Sequence, residues 1–144
     1  MIAASEQYPF VERDPSSGAA SLAPLLPITS VGANPVSVSG LLDTGATVNV
    51  LPYAVGEQLG AVWEQQTAAV QLSGNLAACE ARVLVVSAVV GRFPAVRLEF
   101  AWARTDAVPV LLGQVNFFLE FDVCFYRSRP IFEVRPRQAG GEPV

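Results

Sequence analysis

The segment Leu41-Leu42-Asp43-Thr44-Gly45-Ala46-Thr47 occurs once in this chain of 144 residues and places an acidic residue directly after an apolar run. A small hydroxyl residue and a glycine follow the acid, and such residues are typical of a tight turn. The preceding residues 36–42 are β-rich and partly alternate, and the run 48–51 follows the turn, so both flanks predict β-strands. We therefore expect a strand, a turn and a second strand, with the Asp43 carboxylate held at the turn.

From Leu22 onward, short apolar runs rich in β-forming residues are separated by turn residues, a pattern typical of an all-β domain. The runs predict strands at 22–28, 36–42, 48–51, 93–103 and 108–112, a hairpin of 67–72 with 77–90, and a last hairpin of 123–126 with 131–134. Residues 52–59 and 115–121 predict short helices. We expect a mainly β fold, a small closed β-barrel with one or two short helices.

The residue types that are missing exclude several kinds of chemistry. The chain has no histidine, which excludes Ser-His-Asp and Cys-His catalysis and removes the commonest zinc ligand. All nine basic residues are arginines, so a Schiff-base lysine and a phosphate-binding P-loop lysine are excluded as well. An enzyme built from this chain has carboxylates, hydroxyls, backbone amides and arginines to work with.

The overall composition bears on partners. The net charge is −4, and the arginines at 127, 129, 135 and 137 are best explained as a solvated face, so we expect no nucleic-acid partner. Apolar residues make up 51% and charged residues 15%, which fits either a large obligate interface or a tightly packed monomer. Residues 1–6 lack the features of a signal peptide, and no apolar run is long enough to span a membrane. We therefore expect a cytoplasmic protein with no membrane partner.

The two cysteines form neither a metal motif nor a disulfide framework, so we expect no metal and no cofactor. Cys124 lies in a run that is typical of a core strand, which predicts a buried and inert thiol. Cys79 lies in the predicted hairpin of 67–90.

A second motif adds to the first, which alone would arise by chance in roughly one chain in fifteen of this length. Val108-Pro109-Val110-Leu111-Leu112-Gly113 is an apolar run that ends in glycine about 70 residues after the turn. With both motifs the chain resembles the retropepsins, the retroviral aspartic proteases and their cellular relatives, over roughly 22–134. The hairpin tipped by Ser73-Gly74-Asn75 lies where their flap would be, and 121–134 resembles the extra hairpin of bacterial and ubiquitin-shuttle members.

The resemblance implies an aspartic endopeptidase that works as a homodimer on a protein or peptide substrate. Asp43 from each subunit would form the catalytic dyad, Thr44 would bond across it, Gly45 would donate its N–H to the carboxylate, and Ala46 would leave room for substrate. Other implied roles are the flap (Ser73, Gly74, Asn75), apolar subsites (Val108, Val110) and a ψ-shaped loop (Leu111, Leu112, Gly113). Gln114 departs from the pattern, because viral members often have an arginine there that helps to lock the dimer.

The distribution of polar and turn residues predicts the domain organisation. Residues 1–20 are polar and interrupted by Pro9, Pro15 and Gly18, so we expect an N-terminal arm or a removable pro-segment. We expect the peptidase domain at 21–135 and a flexible tail at 136–144, which is polar and contains Gly140 and Gly141.

Other interpretations of these residues remain open. Asp43 would otherwise be an ordinary turn aspartate that caps its own backbone. The fold would then serve as a catalytically weak peptide-binding module or as a dimerisation domain. Asp106 and Asp122 lack a following Ser/Thr-Gly and are predicted to have surface or turn roles. For Trp63 and Trp102 we expect packing in the core or an interface rather than contact with substrate.

Overall fold

Short β-strands dominate the fold, as the alternation of apolar and polar residues predicts. The computed structural model of the chain describes residues 4–14, 16 and 21–138. The strands are β1 (Glu6–Pro9), β2 (Val11–Glu12), β3 (Leu22–Ala23), β4 (Leu25–Ser30), β5 (Ser37–Leu42), β6 (Asn49–Leu51), β7 (Ala81–Val89), β8 (Val96–Ala103), β9 (Leu111–Leu112), β10 (Phe121–Tyr126) and β11 (Ile131–Pro136). The helices are α1 (Tyr53–Gln58) and α2 (Phe117–Glu120), and 3₁₀ turns lie at Trp63–Gln65 and Gly74–Leu76.

Six of these strands close into a barrel in the order β4-β5-β9-β6-β8-β7, which confirms the predicted closed barrel. Two neighbouring pairs, β5 with β9 and β6 with β8, are parallel, whereas the other pairs are antiparallel. Strand β9 therefore lies between the two strands that flank the Asp43 turn. Its Leu111 is opposite Leu41 on one side and Val50 on the other.

The barrel core is aromatic and aliphatic, and it contains both tryptophans. Trp63 is 3% exposed and Trp102 is fully buried, which confirms the expected core packing. The Trp102 ring stacks on Tyr53 of α1, and its Nε1–H donates to the Tyr53 carbonyl at 3.1 Å. A Cβ atom at Gly56 would overlap the Trp102 indole, so glycine lets α1 lie directly on the barrel.

A separate three-stranded sheet has the order β1-β11-β10 and contains the predicted C-terminal hairpin. Strand β1, within the predicted arm of residues 1–20, pairs with β11 of the same chain from Glu6↔Val134 to Pro9↔Ile131. Four stretches lie outside the described residues: 1–3, 15, 17–20 and 139–144. Most of the predicted tail 136–144 is among them, although its first residue, Pro136, ends β11. The limits of the arm, domain and tail stay predictions.

Four details differ from the sequence predictions. Both helices form but are shorter than predicted, and β9 covers only 111–112 of the expected 108–112, a run interrupted by Pro109, which has no N–H for a ladder. No named strand forms at 67–72, where Ala69 makes a single bridge to Arg82. The prediction of a buried Cys124 is wrong, because β10 is an edge strand and this thiol is exposed.

None of the described helices combines the length and apolar character needed to cross a membrane.

Candidate active site

The backbone of strand β9 holds the start of the Asp43 turn. The Leu41 N–H donates to the Val110 carbonyl at 2.8 Å, and the Asp43 N–H donates to the Leu112 carbonyl at 3.0 Å. The turn closes when the Ala46 N–H donates back to the Asp43 carbonyl at 3.1 Å. Asp43 is therefore the first residue beyond a parallel strand pair, and its backbone continues the ladder of that pair.

The Asp43 carboxylate is partly engaged by its own turn. The Gly45 N–H donates to Oδ1 at 2.9 Å, as the resemblance implies, and a Cβ at Gly45 would lie 3.3 Å from that oxygen. Asp43 is half-buried, whereas Thr44 and Gly45 are exposed. Oδ2 makes no hydrogen bond to the residues that the structure describes. One oxygen is thus held in place while the other is available.

The segment after β9 packs against the back of the turn. A Cβ at Gly113 would lie 2.5 Å from the Val48 carbonyl oxygen and 2.7 Å from that of Ala46, so only glycine fits between these backbones. The N–H of Gln114 donates to the Ala46 carbonyl at 2.9 Å, and that of Val115 donates to Thr47 at 3.0 Å. The ψ-loop motif predicted at 111–113 therefore lies directly behind the predicted catalytic turn.

Gln114 contributes its side chain as well as its backbone. Its Nε2 donates to the Thr44 carbonyl at 2.8 Å, so this residue bonds the turn of its own chain. The Thr44 hydroxyl, by contrast, makes no hydrogen bond within the described part of the chain. An exposed hydroxyl beside a fixed backbone is thus available to a group from outside the chain.

Two asparagines that sequence reasoning missed connect the strands beneath the turn. Asn49 is fully buried; its Oδ1 accepts the Gly113 N–H at 2.8 Å, and its Nδ2 donates to the Glu99 carbonyl at 3.0 Å and to Asn116 Oδ1 at 3.1 Å. Asn116 Oδ1 also accepts the Glu99 N–H at 3.0 Å, and its Nδ2 donates to the Arg97 carbonyl at 2.8 Å. One sequence signal could have pointed to Asn49: it is an amide residue inside the otherwise apolar run 48–51.

The predicted flap residues Ser73, Gly74 and Asn75 are exposed; Gly74 and Asn75 belong to the 3₁₀ turn Gly74–Leu76, and Ser73 precedes it. The hydrogen bonds of this tip are local, for example Leu76 N–H to the Ser73 carbonyl at 3.2 Å. The side chain of Gln71 closes the loop, because its Nε2 donates to the Ala77 carbonyl at 2.8 Å. The base of the segment still pairs with β7, because the Val70 N–H donates to the Ala81 carbonyl at 3.1 Å and the Val83 N–H donates to the Ala68 carbonyl at 2.8 Å. The pairing expected at 67–72 is therefore shortened to the residues around Ala69.

Beside the backbone bonds to β7, one buried side chain anchors the flap segment to the barrel. Leu72 is 5% exposed and belongs to a small apolar cluster with Val50, Ala101 and Val108. The cluster brings the predicted subsite residue Val108 beneath the flap, whereas Val110 packs in the main core. Their roles as substrate subsites stay predictions.

An apolar hollow of about 120 Å³ lies beside the turn and is lined by Val48, Val70, Val83, Ala101 and Val115, together with Glu99 and Phe100. Three larger hollows, of about 540, 430 and 380 Å³, have linings remote in sequence from the turn. The lining of the small hollow contains Val48, which directly follows the turn, and Val115, which bonds Thr47.

Within the described residues, no cluster of three or more histidine, cysteine, aspartate or glutamate side chains is arranged to hold a metal ion. The other aspartates singled out in the sequence have structural partners. Asp106 Oδ1 accepts the Ala54 N–H of α1 at 2.8 Å, and Asp122 pairs with Arg135 at 3.3 Å. Asp43 differs from them in its position on a turn fixed by two strands.

Comparison with known proteins agrees with this geometry. Residues 29–115 match the aspartyl protease family, which is more than half of the chain, and the chain belongs to this family. The retropepsin-like resemblance predicted from the two motifs is thereby confirmed. Among curated proteins, no match to this sequence was found.

Two solved structures are similar to the fold. One is the crystal structure of a retropepsin-like aspartic protease from Rickettsia conorii, with a TM-score of 0.62 and 13% identity over 93% of this chain and 94% of that one. The other is EIAV protease in complex with the inhibitor HBY-793, with a TM-score of 0.43 and 19% identity over 64% of this chain and 82% of that one. At 13% identity, the similarity to the Rickettsia conorii structure establishes the fold alone, which is retropepsin-like.

Proposed function

We propose that the protein is an aspartic endopeptidase whose catalytic dyad consists of Asp43 from each of two identical subunits. The observation that supports this most strongly is the fixed, half-buried Asp43 carboxylate with Oδ1 held by Gly45 and Oδ2 without a partner in the described chain. The sequence contains one Asp-Thr-Gly turn, so in this proposal the second carboxylate comes from the Asp43 turn of a second copy.

The chemistry follows from two carboxylates placed side by side. Because their charges repel, the pair shares one proton. The ionised member accepts a proton from a water molecule, and the water oxygen attacks the carbonyl carbon of the scissile peptide bond. The protonated member stabilises the developing oxyanion and then supplies a proton to the departing amine. This route needs no metal, so we expect chelators to leave the activity unchanged.

The turn residues keep the dyad in position. Gly45 directs its N–H at Oδ1, and the exposed Thr44 hydroxyl is free to bond to the turn of the partner. The Gln114 side chain bonds Thr44 within its own chain, which differs from the arginine lock that the resemblance to viral members implies. We infer that Gln114 fixes the turn within each subunit before the two subunits meet.

The substrate class follows from the surfaces around the turn. The hollow lined by Val48, Val70 and Val83 is apolar, which favours a peptide with an apolar side chain at that subsite. The flap at Ser73, Gly74 and Asn75 would close over the bound peptide and exclude water from the reacting atoms. Val108 would support the closed flap through its contact cluster with Leu72.

The test is cleavage of an apolar peptide by the wild type, by Asp43→Asn and by a matched control, Asp106→Asn. The control keeps an oxygen that accepts the Ala54 N–H, so it should retain activity and fold. We expect Asp43→Asn to lose at least about 10³-fold in kcat while its circular dichroism stays unchanged, because the water has lost its general base. Retained cleavage by Asp43→Asn would refute the proposal. Peptide binding by the wild type without cleavage would instead support the binding-module alternative.

A further inference from the structure

The small hollow beside the Asp43 turn has one charged residue, Glu99, in an otherwise apolar lining. Glu99 is exposed on β8, and its carboxylate makes no hydrogen bond or ion pair to the residues that the structure describes. Arg97, two positions earlier on the same face of the strand, forms no ion pair with it. The Glu99 carboxylate is therefore available to a group from outside the chain.

The backbone of Glu99 is fixed by the two asparagines beneath the turn. Its N–H donates to Asn116 Oδ1 at 3.0 Å, and its carbonyl accepts a hydrogen bond from Asn49 Nδ2 at 3.0 Å. The Oδ1 of the same Asn49 accepts the Gly113 N–H at 2.8 Å. Because the two polar atoms of an amide group are about 2.3 Å apart, the Glu99 carbonyl oxygen lies no more than about 8 Å from the Gly113 nitrogen. Gly113 packs against the turn, so the place of Glu99 on β8 is set relative to Asp43.

Two segments that would enclose a substrate meet at this hollow. Val48 directly follows the turn, whereas Val70 belongs to the segment that carries the predicted flap. Val70 is held in place by its N–H, which donates to the Ala81 carbonyl at 3.1 Å. A peptide that binds between the turn and the flap would therefore place one of its side chains at the hollow.

We propose that Glu99 selects an arginine or lysine side chain of the substrate at this hollow. The inference rests on the proposed function and refines its apolar preference. The aliphatic stem of such a side chain packs against Val48, Val70 and Val83, and its cationic end bonds the Glu99 carboxylate. An acidic side chain at the same position would bring two like charges together and is disfavoured.

The twofold symmetry of the proposed dimer repeats this preference. Each subunit carries its own Glu99, so the two carboxylates lie on opposite sides of the scissile bond. A substrate with a basic residue at the matching position on each side meets both of them. The substrate class is therefore an apolar cleavage sequence flanked by basic residues.

The test compares peptides that differ only in charge at one position. An apolar cleavage sequence carries either arginine or its neutral isostere citrulline two, three or four residues from the scissile bond, on each side in turn, because an extended chain advances about 3.3 Å per residue. The measured quantity is kcat/KM with the wild type, with Glu99→Gln and with a matched control, Glu64→Gln. Glu64 is exposed and lies outside the lining of the hollow, so its replacement removes the same charge elsewhere.

For the wild type we expect kcat/KM to be at least about threefold higher with arginine than with citrulline at one position on each side, as for a partly exposed ion pair. The ratio should fall to about one in Glu99→Gln and stay at the wild-type value in Glu64→Gln. It should also decrease between about 0.05 and 0.5 M NaCl, because salt screens an exposed pair. Glu99→Arg should reverse the preference, towards a peptide with glutamate at that position.

The outcomes separate this inference from the proposed function. A wild type that cleaves the peptides with no arginine preference at any tested position would overturn the role of Glu99 and leave the proposed function intact. A preference that persists in Glu99→Gln would also overturn it, because another group would then recognise the charge.

A binding measurement covers the case in which the wild type cleaves none of the peptides. Fluorescence polarisation of labelled arginine and citrulline peptides on the wild type and on Glu99→Gln needs no catalysis. Tighter binding of the arginine peptide that is lost in Glu99→Gln would support the inference although the proposed catalysis had failed. Equal affinities of the wild type for the two peptides would overturn it.

Discussion

The Asp43 turn, which we propose to be catalytic, and the predicted flap differ in how they are held. The turn is bonded to distant parts of the chain, through Leu112 and Gln114 and through the buried Asn49 beneath it. The flap tip bonds mainly to itself, and Leu72 is its buried anchor in the barrel. Both segments would meet the same substrate, yet one is fixed by long-range contacts and the other by local ones.

The difference indicates a division of tasks. A carboxylate that activates water must be held within a fraction of an ångström, which long-range bonds between strands provide. A flap must open for substrate and close over it, and segments with few buried contacts open at low free energy. The following predictions test this contrast, beginning with the largest expected effect.

Gly113→Ala should disrupt the turn most severely. Its Cβ would meet the Val48 and Ala46 carbonyl oxygens at 2.5 and 2.7 Å, and backbone atoms cannot move aside as a flexible side chain can. We expect a loss of at least about 3 kcal/mol in the free energy of unfolding and the loss of peptide cleavage. Urea unfolding measures the first and a peptide assay the second. Wild-type stability in this variant would show that the segment behind the turn is not tightly packed.

Asn49→Ala should have the next largest effect, because it leaves buried backbone groups without partners. The Gly113 N–H loses its acceptor and the Glu99 carbonyl loses a donor, and each unsatisfied group costs about 1–3 kcal/mol. We expect a loss of about 2–4 kcal/mol in unfolding free energy. The matched change in the flap is Gln71→Ala, whose exposed amide should contribute less than about 1 kcal/mol. Equal losses in the two variants would remove the contrast.

Gly74→Ala should have a smaller effect on stability. Gly74 has a φ of 62°, which is unfavourable for alanine by about 1 kcal/mol, but no atom lies within 4 Å of the added Cβ. We expect a loss of about 1 kcal/mol at most. Thermal unfolding beside Gly113→Ala gives the comparison. A loss as large as that of Gly113→Ala would mean that the flap is as strongly coupled to the barrel as the turn.

Glu6→Gln should have the smallest effect, and that effect should depend on pH. Hydrogen bonds from the Tyr8 hydroxyl at 2.7 Å and from Arg92 at 2.9 Å lower the pKa of Glu6. A lowered folded-state pKa adds stability above the unfolded value, and this contribution is lost as the pH falls through the folded value. Because Arg92 is largely exposed, we expect less than about 1 kcal/mol at pH 7. Burial and the Glu6 contact raise the pKa of Tyr8 to about 12, so its contribution is lost as the pH rises towards that value.

Urea unfolding of Glu6→Gln and the wild type across acid and neutral pH checks this prediction. The free energies of unfolding of Glu6→Gln and the wild type should be nearly equal at acid pH and should differ increasingly towards neutral pH. Glu64→Gln, which alters an exposed carboxylate on the 3₁₀ turn at 63–65, serves as the control and should follow the wild type throughout. A difference that stays constant with pH would show that the Glu6 contact is not electrostatic.

The parts that could be predicted from the sequence depend on local patterns. Alternation predicted most of the barrel strands, and the Asp43-Thr44-Gly45 turn with the Gly113 motif predicted the arrangement around the carboxylate. Both signals lie within a few residues of the structure they specify. The hairpin of 67–72 with 77–90 was predicted from two runs around a glycine tip. Only the residues around Ala69 pair with β7, because the Gln71 side chain bonds Ala77 and closes the tip on itself.

The parts that were missed depend on contacts between distant residues. Asn49 gains its role from Gly113 and Asn116, more than sixty positions away, and periodicity contains no information on such pairs. Cys124 was predicted to be buried because the run 121–126 is mostly apolar and typical of a core strand. Its exposure depends on the sheet order, in which β11 takes β1 as its second neighbour and leaves β10 at the edge.

The central claim is that one active site needs Asp43 from two chains, and a mixing experiment tests it most directly. Wild-type enzyme at a fixed concentration, well above its dimer dissociation constant, receives increasing amounts of the Asp43→Asn chain. With an equal amount and free exchange, about half of the wild-type chains are in mixed dimers, so the cleavage rate should fall to about half and continue to fall with further addition. The same addition of Asp106→Asn should raise the rate. A rate that stays constant while exchange of subunits is demonstrated would contradict a shared dyad.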